Sequence, residues 1–309
     1  MRYLLMLMVA MMSFMTIGQE RIGSYTYITA DNAYQYSVRQ YAAYTKSFTI
    51  HPKDTTKPDR QLDITQMLGG RCYFYNGVEN HYSDIRTNIS YRHNRKWCAN
   101  FSVSSLHSKD WSPVFFEGFV RYNKKRLSLE MFQERESVGT PITNELRYVS
   151  YSSGISADYR ISRRLTAVGS ITRNSISDGN RRWYQTSRII CEIGEGAYID
   201  LKARRMFGSE WSPYYFSPSY INQYNIGYGF YKPFHDGKLN TKLYVGLGIQ
   251  EIENNYMSMF NVDIKESTSF DSSWNADLIF STRNFNEYIY STLTLKVHYT
   301  FGKKAASDK

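Results

Sequence analysis

The chain has 309 residues and carries a net charge of +10, with 42% hydrophobic residues and a mean hydropathy of −0.52. Those values exclude a helical membrane protein, which needs several apolar runs of about 20 residues. An aromatic content of 16%, including 28 tyrosines, excludes a disordered chain, and three cysteines exclude a disulfide-stapled domain.

The first eighteen residues read as a signal peptide. Arg2 gives a short basic start, Leu4 to Met15 an apolar stretch, and Thr16-Ile17-Gly18 small residues for cleavage. Residues 19–61 fit no regular pattern and are expected to form a plug inside a larger structure or an extra strand. Lys53 to Arg60 within them reads as a charged loop around Pro58.

From residue 62 to 301 the chain alternates with period two. The last segment is the clearest. Ile289, Leu293, Leu295, Val297, Tyr299 and Phe301 share one face, and Thr292, Thr294, Lys296 and His298 the other. Strands are expected at 62–76, 83–93, 96–107, 113–123, 126–138, 145–160, 164–176, 181–193, 196–207, 216–232, 238–252, 255–266, 273–283 and 287–301. Segments this long exceed the five or six residues usual in a soluble sandwich and match the strands of a transmembrane barrel. The strands also carry full charges deep within them, as at Asp200, Lys202 and Arg204. A wet lumen accepts such residues; an apolar core does not. The expected fold is therefore all-β, a transmembrane antiparallel up-and-down barrel of about fourteen strands, with twelve and sixteen as alternatives. Short turns, as at Asn94-Arg95 and Gly194 to Gly196, alternate with longer loops, as at Ser108 to Ser112 and Gly208 to Tyr215. Residues 302–309 form a polar tail.

Parity along the strands assigns lumen-lining side chains. Arg71, Arg86, Arg121, Arg188, Lys202, Arg204, Lys238, Lys242 and Lys296 point inward, together with Glu130, Asp200 and Asp277. Basic residues outnumber acidic ones in this set, which favours anions in an open pore. A lumen filled by paired charges is the competing reading. Tyrosine and tryptophan are expected as girdles where strand ends meet water, with some tyrosines in the lumen. Cys72, Cys98 and Cys191 lack metal-ligand spacing, and no cofactor is implied. His81, His93, His107 and His298 are the candidates for a lipid-acting catalytic His, but His107 and Ser108, being adjacent, face opposite sides of a strand. Basic residues are scattered rather than clustered, so nucleic acid is not a partner.

The Tyr299-Thr300-Phe301 ending resembles the terminal strand signal of Gram-negative outer-membrane barrels. That resemblance implies an outer-membrane location in contact with lipid, and recognition of Tyr299 and Phe301 by the barrel assembly machinery. Three further stretches look like the YaiO-type barrel and the C-terminal barrel of the cellulose-synthase outer-membrane subunit. They are Gly154 to Arg160, Ser177-Asp178-Gly179-Asn180-Arg181, and Tyr215-Phe216-Ser217-Pro218-Ser219-Tyr220. The likeness implies a channel or export component for exopolysaccharide. Such exporters carry a periplasmic helical-repeat region, absent from this sequence, so a separate periplasmic scaffold protein is the implied partner. A barrel enzyme acting on lipid or lipopolysaccharide and a non-conducting structural or adhesive barrel are the alternatives.

Overall fold

The computed structural model describes residues 18–301, apart from 32–34, 51–59, 76, 95, 139–140, 235–237, 270–272 and 286–287. The expected signal peptide, except Gly18, and the polar tail lie outside the described residues. Sixteen antiparallel strands close into one barrel in simple chain order. They are β1 (Gly18–Asp31), β2 (Tyr36–Ile50), β3 (Arg60–Tyr75), β4 (Val78–His93), β5 (Trp97–His107), β6 (Val114–Lys124), β7 (Leu127–Ser137), β8 (Val149–Arg160), β9 (Leu165–Ile176), β10 (Arg181–Gly194), β11 (Ala197–Phe207), β12 (Tyr220–Phe234), β13 (Leu239–Ile252), β14 (Asn255–Ser269), β15 (Trp274–Phe285) and β16 (Tyr288–Phe301). Among the described residues one short helix, α1 (Pro141–Glu145), interrupts the connection between β7 and β8.

The expected count of fourteen is corrected to sixteen. The fourteen segments read by alternation correspond to β3–β16, and residues 19–61 supply β1, β2 and the start of β3 rather than a plug. β1 pairs with both β2 and β16, from Glu20 opposite Phe301 to Asp31 opposite Tyr290 along the closing seam. Closure leaves no unpaired strand edge, which is the condition for a sheet to exist in hydrocarbon.

The usual rule of burial is inverted. Met131, Leu247, Ile226, Leu201, Ile155 and Phe101 are exposed on the outside, while Arg71, Asp84, Asp200 and Gln250 are buried inside. An outward apolar belt around a polar interior is stable when lipid covers the belt. Trp97 packs on Tyr122, and Trp274 on Tyr299, at the end of the barrel that bears the chain termini. Tyr36 stacks on Phe74 at the opposite end, where Tyr151, Trp183 and Tyr224 are also exposed. Aromatic side chains thus stand at both ends of the barrel, yet a large share of the tyrosines, such as Tyr27, Tyr41, Tyr184, Tyr198 and Tyr244, lies on inward-facing strand positions.

Connections at the terminal end are mostly tight. Gly196 adopts φ +75°, and a Cβ there would stand 2.0 Å from the Tyr231 carbonyl oxygen, so that turn requires glycine. At the other end Glu253 and Asn254 both take positive φ, joining β13 to β14 in a two-residue hairpin. The longer described loops gather at this same end, where buried strand residues form small apolar clusters. Tyr73, Tyr82, Leu106, Phe115 and Val149 form one, with Trp111 packed against it. Met206, Ile221 and Ile252 form another, with Tyr184 alongside. Trp111 and Trp211 stand in two loops at this end with different surroundings: Trp111 packs on the first cluster, and Trp211 is 80% exposed.

Candidate functional site: the barrel lumen

The inward side chains divide the lumen into two electrostatically distinct walls. On the wall built by β2–β7 nearly every charge is partnered. Arg71 has no solvent exposure, and its guanidinium spans four partners, with Nε also donating to Tyr41 Oη at 3.2 Å. Its Nε donates to Asp84 Oδ2 at 2.6 Å, Nη1 to Glu136 Oε1 at 2.8 Å and Nη2 to Ser104 Oγ at 3.1 Å. Asp84 also accepts from Tyr41 Oη at 2.5 Å and Ser104 Oγ at 2.6 Å. Arg39 reaches Glu136 at 3.1 Å, Arg86 reaches Glu117 at 3.2 Å, and Arg121 Nε donates to Glu130 at 2.8 Å. Such satisfaction is what makes buried charge tolerable. A cavity of about 430 Å³ opens beside this wall, lined by Arg39, Glu134, Glu136 and Tyr73.

The wall built by β10–β15 borders a larger cavity, of about 1090 Å³, whose charged lining is seven cations (Arg182, Arg188, Lys202, Arg204, Lys242, Lys265, Arg283) against three carboxylates (Asp31, Asp200, Asp263). Asp200 is taken by Arg188 at 2.7 Å. Arg204 lies over the Tyr184 ring at 5.0 Å, Lys242 over Tyr231 at 5.3 Å and Arg283 over Tyr290 at 5.9 Å. The inward face of β12 and β13 is paved with glycine. A Cβ on Gly229 would stand 1.9 Å from Tyr198 Cζ, and one on Gly227 2.2 Å from Tyr244 Oη. The missing side chains let the Tyr198 and Tyr244 rings lie along the wall, stacked at 6.5 Å and 23°.

Loops interlock above the basic cavity. Asn180 Nδ2 donates to the Glu210 carbonyl at 2.7 Å and to Tyr215 Oη at 3.0 Å, and Tyr215 Oη donates to Asp178 at 2.6 Å. The Ser177–Arg181 and Tyr215–Tyr220 stretches, far apart in sequence, therefore meet in space. Burial raises the Tyr215 hydroxyl above its ordinary pKa, and the bond to Asp178 adds to the shift, so it stays a proton donor. Tyr148, in the loop that carries α1, contacts Tyr214 and Tyr215 edge-on.

Parity places Arg71, Arg86, Arg121, Arg188, Lys202, Arg204, Lys242, Lys296, Glu130, Asp200 and Asp277 on inward strand positions, and Lys296 sits over the Tyr27 ring at 5.8 Å. Lys238 is a correction: it lies exposed in the turn before β13, where its backbone carbonyl accepts from Ser269 N–H at 2.8 Å. The strand starts one residue later than alternation suggests, because Leu239 is the first residue paired with β12. Arg39, Glu136, Lys265 and Arg283 belong to the two walls and were not singled out by sequence. Arg283 and Lys265 follow the same parity as Asp277 and Asp263, so alternation alone could have found them.

The histidines resolve differently. His107 Nε2 meets Ser105 Oγ at 3.0 Å rather than Ser108. On the outward face His81 Nδ1 lies 3.1 Å from Cys72 Sγ, and its Nε2 lies 2.7 Å from Glu79. This resembles a nucleophile–base–acid line in outline. Cys72 sits within a strand paired on both sides, so its neighbouring N–H groups are spent in the ladder rather than free to stabilise an oxyanion. The three cysteines are free thiols.

No family model matches the sequence, and no curated protein matches it. Among solved structures, one described as a bacterial polysaccharide outer membrane secretin is similar over 92% of this chain and 98% of its own, with a TM-score of 0.67 and 12% identity. The outer membrane protein opdK from Pseudomonas aeruginosa aligns over 92% of this chain and 98% of its own at TM-score 0.49 and 11% identity. OccK7 (OpdD) of the same organism aligns over the same shares at 0.48 and 11%. At these identities the likeness is one of fold: a closed barrel like those of outer-membrane proteins.

Proposed function

We propose that this chain is an outer-membrane channel or export component that handles exopolysaccharide, secreted with cleavage of residues 1–18. The observation that carries the reading is the lumen itself, which holds a cavity of about 1090 Å³ lined by charged and tyrosine side chains rather than a packed apolar core. A barrel serving only as an anchor needs no such space. The secretin whose fold it shares is described as a polysaccharide protein, and the Asn180–Tyr215 contact joins two of the three stretches that resemble the YaiO-type barrel. In this reading the apolar belt contacts outer-membrane lipid, Tyr299 and Phe301 on β16 are read by the barrel assembly machinery, and a separate periplasmic scaffold protein delivers the polymer. Planar-bilayer recording of the refolded mature chain tests it. Discrete, anion-preferring current is expected; a barrel that inserts and carries no current would overturn the channel reading.

A further inference from the structure

We propose that the basic wall of the lumen is a binding track for an acidic saccharide chain. Sugar rings lie on Tyr198 and Tyr244, and carboxylate or sulfate groups meet Lys202, Arg204 and Arg283. This deepens the channel reading and rests on it for the lumen being the route of the substrate.

Three observations carry it. First, among the described residues no carboxylate forms an ion pair with Lys202, Arg204 or Arg283, whereas Arg188 is neutralised by Asp200 at 2.7 Å. Arg204, Arg188 and Arg283 all bear on Lys202, against the single opposing charge of Asp200, and Arg283 bears on Arg204. Like charges gathered in a confined bore repel one another, and a bound anion relieves that repulsion. On the opposite wall the arginines already hold their carboxylates, so an anion gains little there and is repelled by Glu134 and Glu136. The bore therefore steers a polyanion to one side.

Second, the cations are spaced for a repeating ligand. Lys202 and Arg204 are alternate residues of β11, so their side chains project inward about 7 Å apart along the strand. In the register the row from Asp200 runs through Gly227, Gly246 and Asn261 to Arg283 on β15, so a small, uncharged stretch of wall lies between the β11 cations and Arg283. Third, the stacked Tyr198 and Tyr244 rings lie against glycines beside this track. Flat aromatic faces bind the C–H faces of sugar rings. Tyr244 Oη donates to Asn225 at 2.9 Å, which holds that ring in place. A small inorganic anion would use the cations and ignore the rings; a neutral glycan would use the rings and ignore the cations. An acidic glycan uses both.

The test is equilibrium binding to the full mature barrel, refolded in detergent, measured by calorimetry with a short oligogalacturonate and with a maltooligosaccharide of the same length. The acidic chain is expected to bind roughly tenfold or more tightly than the neutral one, and to weaken as salt rises. Lys202→Gln with Arg204→Gln removes that difference, while Tyr244→Ala weakens both sugars. Folding of each variant is checked by heat-modifiable gel migration. Equal binding of the two sugars, binding of neither, or acidic binding untouched by the double substitution would overturn the proposal. Conductance separates the two ideas: a barrel that conducts without discriminating sugars sinks the track alone, and one that binds the acidic chain without conducting sinks the channel alone.

Discussion

Arg71 shows how one side chain organises a wall. Parity along β3 puts it inside, but parity gives a face and not a partner. Its contacts with Asp84, Glu136 and Ser104 come from β4, β7 and β5, positions that only the closed barrel brings together. Glu136 is likewise an alternate residue of β7, inside the strand expected at 126–138, so its face follows from alternation and its partners do not. Removing the guanidinium would leave Asp84 without a countercharge on a buried wall and Glu136 with Arg39 alone. Arg71→Met is expected to lower the unfolding free energy by about 3–5 kcal/mol, read from urea unfolding of the detergent-folded barrel. Arg71→Met combined with Asp84→Asn should recover part of that loss; a single variant as stable as the parent would show that the network contributes no stability.

At the scale of the strand, the fourteen segments with contrasting faces were legible and the first two were not. The reason lies in the residues. The outward face of β1 carries Glu20, Ser24 and Thr26 beside Ile22 and Ile28, and its inward face carries Tyr25 and Tyr27. β2 places Gln40 and Ala42 outward while burying Tyr41 and Ala43. When tyrosine lines the lumen and polar residues sit outside, the contrast on which alternation depends disappears. The structure nonetheless fixes these strands by pairing, with Thr26 opposite Leu295 on the closing seam. In a background with Cys72, Cys98 and Cys191 replaced by serine, Thr26→Cys with Leu295→Cys should form a disulfide under mild oxidation, because directly opposed strand residues fall within bridging distance. The product is detected as a shift in gel migration of the unfolded chain. No cross-link would mean that β3, not β1, closes against β16.

For the whole molecule the net charge of +10 turns out to be a statement about position more than amount. The surplus was legible from composition and parity, but its segregation was not, since which strands face each other across the bore depends on closure and strand number. The β2–β7 wall is nearly self-neutralised, and the excess lies along β10–β15. Lys242 and Lys238 make a matched pair for testing this. Lys242→Glu is expected to cut the anion-to-cation permeability ratio by roughly twofold, because a lumen charge acts in a confined field. Lys238→Glu, in an exposed turn, should leave that ratio near the parent value, since salt screens it. Reversal potentials in a salt gradient measure both, and equal effects would contradict the placement.

The glycines of β12 and β13 bear on how such a barrel can change over time. Circumference comes in whole strands, so adding or losing a hairpin alters the bore in coarse steps. Paving part of one wall with glycine offers a finer adjustment: the headroom above Gly227 and Gly229 is set by how flat two phenol rings can lie. A single codon at either position would tip a ring toward the axis and narrow the passage on the basic side alone. The barrel thus carries a graded dial beside its integer one, and the dial sits where the unpaired cations are.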